Sequence, residues 1–122
     1  MPVRSLSSSV LKWPDQQSVI NSLTRWAGKV VRERKDIIDI GYFGSYARGN
    51  WGVGSDLDVV IILKSSEQPF ERRGAEWDTT ELPVPVDVLV YTKEEWVSMK
   101  ARKTPFLSTT GEIIWIYPQD KI

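Results

Sequence analysis

The chain has 122 residues, with 16 Lys plus Arg against 16 Asp plus Glu and neither cysteine nor histidine. That length suits one domain and leaves little room for a second that would grip a substrate, and the balanced charge offers no basic field to a nucleic-acid backbone. Disulfides, thiolate metal sites, the usual zinc sites, a Ser-His-Asp triad and a histidine base are excluded within the chain, so proton transfer and metal binding fall to carboxylates, lysine, tyrosine or water.

No apolar run reaches the ~20 residues that a bilayer crossing needs. The Ser-rich start, Met1 to Ser9, has no apolar core of a signal peptide, so a cytoplasmic location is expected. Residues 1–14 are expected to form a leader pinned by Leu11 and Trp13, ahead of a single domain over residues 15–122. Pro14-Asp15 opens a helix in which Val19, Ile20, Leu23, Trp26, Ala27, Val30 and Val31 recur at spacings of three and four, one apolar stripe. Arg32, Arg34 and Lys35 fall in its last turn, where cations suit the dipole.

Ile37 to Phe43 reads as a short strand, broken by Gly44-Ser45, with Ser45 the expected cap of a short helix over residues 46–49. Asn50 to Ser55 is a glycine-rich loop. Asp56 to Leu63 is the clearest strand, apolar on both faces beyond Asp58 and so expected to be central and covered on both sides. Pro69 to Thr80 is expected to be a helix with Phe70 and Trp77 on one side; Val84 to Tyr91 is a strand that holds Pro85 at its beginning or on an edge. Thr92-Lys93-Glu94-Glu95 matches a capping box, predicting a helix to about Arg102 with Trp96, Val97 and Met99-Lys100 toward the core. Thr104 to Gly111 reads as a turn region or a short helix, and Glu112 to Tyr117 as a last strand ended by Pro118. The order α-β-(α)-β-α-β-α-β predicts a small α/β domain. Six tryptophans are many for this length; most are expected in the core, with Trp51, Trp77 and Trp96 as interface candidates.

The chemistry concentrates in two short stretches and one later acid. In a strand, Asp56 and Asp58 point to one face, with Cα atoms roughly 6.5–7 Å apart. Two carboxylates so close repel, and ionising both is costly without a cation. Hard cations such as Mg²⁺ take oxygen ligands, commonly one or two carboxylates plus substrate phosphates. Asp87, between Val86 and Val88 in an apolar strand where an unpaired charge is expensive, is the expected third ligand of a two-metal site. Metals ~3.5–4 Å apart in such a site clamp the attacking and leaving oxygens of an in-line phosphoryl displacement. Gly44-Ser45 allows close backbone approach to an anion, Ser45 adds a hydroxyl, and Arg48 adds a charged fork. The two stretches meet if strands 37–43 and 56–63 pair. Taken singly, Gly-Ser is a turn, Asp-x-Asp a capping feature, Asp87 a structural carboxylate, Arg48 a surface cation and Trp51 a packing residue; only the joint arrangement points to chemistry.

That arrangement resembles the nucleotidyltransferase superfamily related to DNA polymerase beta. Its pattern is met here by Phe43-Gly44-Ser45, ten residues, Asp56-Leu57-Asp58-Val59 and later Val86-Asp87-Val88. The string Gly44-Ser45-Tyr46-Ala47-Arg48-Gly49 with Ser55-Asp56-Leu57-Asp58 looks like the minimal nucleotidyltransferase branch, over roughly residues 15–117. The resemblance implies a mixed β-sheet flanked by helices, an α+β arrangement. It implies Mg²⁺-dependent transfer of a nucleoside monophosphate, usually AMP from ATP, to a hydroxyl with release of pyrophosphate. Gly44, Ser45, Arg48 and Ser55 would hold the nucleotide. Asp56 and Asp58 would ligate both metals, and Asp87 the metal that activates the acceptor. Larger relatives carry a helical acceptor-binding domain; in the minimal branch that part is often a separate all-helical HEPN protein of a toxin–antitoxin pair. Two other readings stay open: a small-molecule nucleotidyltransferase acting on an aminoglycoside-like acceptor, as a homo-oligomer with an acidic cleft, and a non-catalytic nucleotide- or partner-binding module.

Overall fold

Asp15 starts the first helix as the sequence signals: its carboxylate accepts from the Ser18 N–H at 2.8 Å, satisfying one of the free donors of helix α1 (Gln16–Glu33), an interaction worth about 1 kcal/mol. The computed structural model describes residues 14–103 and 113–118; the leader with Leu11 and Trp13, and the turn over 104–111, lie outside them. Arg32 alone of the three cations falls in the last turn of α1, with Arg34 as its C-cap. The buried stripe is Val19, Leu23, Trp26, Ala27 and Val30, with Ile20 and Val31 half-buried beside it.

The strands are β1 (Ile37–Phe43), β2 (Leu57–Leu63), β3 (Val86–Thr92) and β4 (Ile114–Tyr117). They form one sheet in the order β3-β2-β1-β4. β1 is antiparallel to β2 and to β4, while β2 and β3 run parallel, so the sheet is mixed. β2 lies inside it and is buried on both faces, which is why it reads as a continuous apolar run. Leu57, Val59, Ile61 and Leu63 face the core beneath α1; Val60 and Ile62 face a second core with Trp96, Met99, Trp115, Leu89 and Tyr91. Helix α4 (Lys93–Arg102) covers that second face. Its capping box forms as the sequence predicts: Thr92 Oγ1 accepts from the Glu95 N–H at 3.2 Å, and Glu95 Oε1 accepts from the Thr92 N–H at 2.9 Å. Trp96 and Met99 point inward, whereas Val97 and Lys100 are exposed; a helix bearing on the sheet through so narrow a stripe cannot bury neighbours on both sides of it.

The stretch from Pro69 to Thr80 is not one helix. It gives a single turn, α3 (Phe70–Arg73), then a 3-10 turn (Gly74–Glu76), and is extended from Trp77. Tertiary contacts override the local preference, because the segment wraps the outer edge of β3. Phe70 stacks on Tyr91 at 5.0 Å on one face of the sheet, while Trp77 meets Trp26 at 6.2 Å beneath α1 on the other. The two aromatics therefore lie on opposite sides, not on one. Between them the buried Arg73 donates to Gln68 O, Val90 O and both oxygens of Glu95, at 2.7–3.1 Å. Trp77 and Trp96 are core residues rather than interface anchors.

Candidate active site

The sheet register brings the predicted residues together. Asp58, the second residue of β2, pairs across the antiparallel ladder with Phe43, the last residue of β1, and across the parallel ladder with Asp87. Two carboxylates thus face each other on neighbouring strands, on the α4 side of the sheet. Gly44 follows Phe43 directly, at φ 78° and ψ −150°, a conformation essentially reserved for glycine. A Cβ there would collide with Asp58 Oδ2, so the glycine turn and the Asp58 carboxylate are in van der Waals contact only because residue 44 has no side chain.

Helix α2 (Ser45–Arg48) leaves this turn with Gly44, not Ser45, as its N-cap, and Gly49 closes it in the left-handed conformation. Gly44 takes the capping position because the positive φ is needed there, one residue earlier than the sequence pattern suggested. One turn of helix carries little macrodipole; what the turn offers an anion is individual N–H groups and the half-buried Ser45 hydroxyl.

Asp56 lies just outside β2, which begins at Leu57, with the Leu57 N–H donating to Pro85 O at 2.9 Å. Asp56 and Asp87 are exposed and Asp58 is half-buried. The exposure of Asp87 corrects the expectation of a costly buried charge: β3 is an edge strand, and Asp87 sits near its open start. Burial, then the negative charges of Asp87 and Asp56, push the Asp58 carboxyl above its ordinary value, while Arg48 pulls the other way. Asp58 is therefore within electrostatic reach of Asp56, Asp87 and Arg48, but among the described residues no three carboxylates converge into a ready-made metal site.

Ser55 serves its own loop: its hydroxyl oxygen accepts from the Gly52 N–H at 2.8 Å, and its N–H donates to Gly52 O at 2.9 Å. Trp51 stacks on the buried Tyr46 with ring centroids 5.8 Å apart and planes 6° apart. This bracing of the site is what residue spacing does not reveal; an aromatic inside a glycine-flanked loop was the one available sign. A cleft of about 490 Å³ lined by Phe70, Tyr91, Glu94, Ser98, Met99 and Arg102 lies further along the same face.

The donor set fits a hard divalent cation. It is all oxygen, and it includes two directly opposed carboxylates whose repulsion a cation would offset. Among the described residues no helix is long and apolar enough to cross a membrane.

Comparison with known proteins bears on the fold and the family. The crystal structure at 1.40 Å resolution of a candidate nucleotidyltransferase from Sulfolobus solfataricus is similar in fold, with a TM-score of 0.62 and 19% identity over 87% of this chain and 86% of that one. No curated protein sequence matches. The profile of the Nucleotidyltransferase domain family covers residues 25–108, a span that contains the glycine turn and Asp56, Asp58 and Asp87. The chain belongs to the nucleotidyltransferase domain family.

Proposed function

We propose that the protein transfers AMP from ATP to a hydroxyl group, with Mg²⁺ held by Asp56, Asp58 and Asp87. The observation that carries this reading is the register of Asp58 with Asp87 on one side and with the end of β1, next to Gly44, on the other. Gly44 lets the Asp58 carboxylate lie directly against the turn whose backbone N–H groups would meet a triphosphate; Ser45 donates its hydroxyl, and Arg48 supplies positive charge beside the phosphates. Bound divalent metal would neutralise charge building on the phosphoryl oxygens and lower the pKa of the acceptor hydroxyl. Asp87, exposed beside the open sheet edge, is placed to receive the acceptor and take its proton. The acceptor oxygen forms a bond to the α-phosphorus as the bond to pyrophosphate breaks, and pyrophosphate carries away the electron pair.

The acceptor we favour is a hydroxyl of a partner protein, an all-helical HEPN-type toxin that the modification silences in a reducing, cytoplasmic setting. The resemblance to the minimal branch motivates the partner, and the exposure of Asp56 and Asp87 leaves room for a macromolecular acceptor. The test is incubation with ATP, Mg²⁺ and an all-helical protein encoded beside the gene, followed by intact mass spectrometry of that protein. A gain of whole AMP units that requires Mg²⁺ and disappears in Asp56→Asn is expected. A partner that stays unmodified yet bound and inhibited would replace catalysis with occlusion.

A further inference from the structure

Two of the three candidate acids are held by strand pairing, and the third is not. Asp58 and Asp87 sit in the β2–β3 ladder, whereas Asp56 ends the loop that follows α2. That loop is soft by composition: Gly49, Gly52 and Gly54 fall within six residues, two of them at positive φ, and each glycine multiplies the backbone states that must be suppressed. A Cβ built on any of the three meets no atom within 4 Å, so neighbouring structure does not confine the loop at these points. At its ends the Asn50 N–H donates to Ser45 O at 3.1 Å and the Leu57 N–H, just past Asp56, donates to Pro85 O at 2.9 Å; between them the loop carries the Gly52–Ser55 hydrogen bonds, which are internal, and the stack of Trp51 on Tyr46, which ties its middle to the rest of the molecule. Tyr46 makes a firm base. It is fully buried, it lies in α2 directly after the Gly44-Ser45 turn, and its carbonyl accepts from Gln16 Nε2 at 2.5 Å, on the first residue of α1.

We propose that Trp51 is a positioning residue for Asp56: by stacking on Tyr46 it couples the glycine turn to the loop that delivers Asp56, and so sets the separation between the phosphate-binding turn and the Asp56 carboxylate. The proposal rests on the assignment of Asp56 as a metal ligand. It predicts that loosening the stack weakens cation binding although Trp51 touches no cation, as loss of an outer supporting group typically costs 10–100-fold in metal affinity.

The experiment is titration of the purified chain with Mn²⁺, with and without a non-hydrolysable ATP analogue, read by electron paramagnetic resonance. It compares wild type with Trp51→Ala, Trp51→Leu, Trp51→Phe and Asp56→Asn. Expected are binding by the wild type, a loss of about tenfold or more in Asp56→Asn, a loss of about tenfold in Trp51→Ala and Trp51→Leu, and recovery to within about twofold in Trp51→Phe, which keeps a ring face for the stack. A folded Trp51→Ala that binds Mn²⁺ like wild type overturns the proposal while Asp56→Asn still upholds the metal assignment. If Trp51→Ala does not fold, Trp51→Leu and Trp51→Phe decide, and equal binding by those two overturns it. A wild type that binds no Mn²⁺, or an Asp56→Asn variant that binds as well, removes the metal assignment itself and the proposal with it.

Discussion

At Asp58, burial and two neighbouring carboxylates act in the same direction, and only Arg48 opposes them. The native state therefore holds the Asp58 proton more tightly than the unfolded chain does. For an acid whose pKa rises on folding, stability falls as pH climbs from the unfolded value, about 3.9, through the folded one, and stays lowered at neutral pH. Asp58→Asn removes that penalty. The variant should melt above wild type at pH 7 in metal-free buffer, with the gain vanishing below about pH 4, where the native aspartate is already neutral. The same change should abolish nucleotidyl transfer. Calorimetry across pH, set beside the mass assay, checks both halves; a variant less stable than wild type at pH 7 would show that Asp58 is a structural carboxylate instead. Gly44 imposes the complementary constraint, since its missing side chain leaves the space that Asp58 Oδ2 occupies.

Among the elements, the segment around α3 has the most to do with the edge of the sheet. Arg73 is buried, yet it meets four acceptors: two backbone carbonyls and the two oxygens of Glu95. One side chain thus ties α3 to β3 and to the N-terminus of α4, and its bond to Val90 O occupies an acceptor of the β3 edge that would otherwise invite another strand. Hydrogen bonding from Arg73 holds the Glu95 carboxyl below its ordinary value, against a smaller opposing effect of burial. A carboxylate whose pKa falls on folding contributes stability that is fully present above the unfolded value, about 4.3, and is lost as pH drops through the folded one. Glu95→Gln keeps a side chain able to complete the capping box but gives up the charge. Its urea midpoint should lie below that of wild type at pH 7, and the two should converge as pH falls from about 5 to 3. Parallel pH profiles would mean that Arg73 and Glu95 contribute through packing alone.

Over the whole molecule, β2 puts the most buried side chains into the two cores. β2 sends Leu57, Val59, Ile61 and Leu63 beneath α1, and Val60 and Ile62 toward α4, all at or below 1% exposure. Asp58 is the single break in this wall, so the acid sits on a strand that is otherwise wholly buried. Ile61→Ala, three residues from Asp58 and on the opposite face, should cost about 3–4 kcal/mol of unfolding free energy. The loss should appear in one cooperative transition followed alike by far-ultraviolet dichroism and tryptophan fluorescence. Two separate transitions would mean that the cores beneath α1 and α4 melt independently.

Much of this was legible from residue order. The stripe of α1, the β1 segment and the capping box of α4 are local signals, and the structure places each within a residue or two of where periodicity put it. The glycine turn and the acid pair were visible as well, because turn chemistry and alternation are short-range properties. The failures also share a cause. The stretch over Pro69 to Thr80 has helical composition, but Phe70 is drawn to Tyr91 and Trp77 to Trp26 on opposite faces of the sheet, and Arg73 is anchored between them. Asp87 looked buried because its sequence neighbours are apolar, whereas its exposure depends on β3 lying at the edge.

The sequence by itself determined the candidate residues for chemistry and, the stretch from Pro69 to Thr80 apart, the segments that fold as helix or strand, since both follow from side-chain type and spacing along the chain. Only the tertiary structure decided that Asp87 stands opposite Asp58, that Gly44 makes room for the Asp58 carboxylate, and that Trp51 rests on Tyr46. Strand order, register and ring contacts are set by which buried surfaces fit together across long separations in sequence, and local periodicity carries no record of that choice.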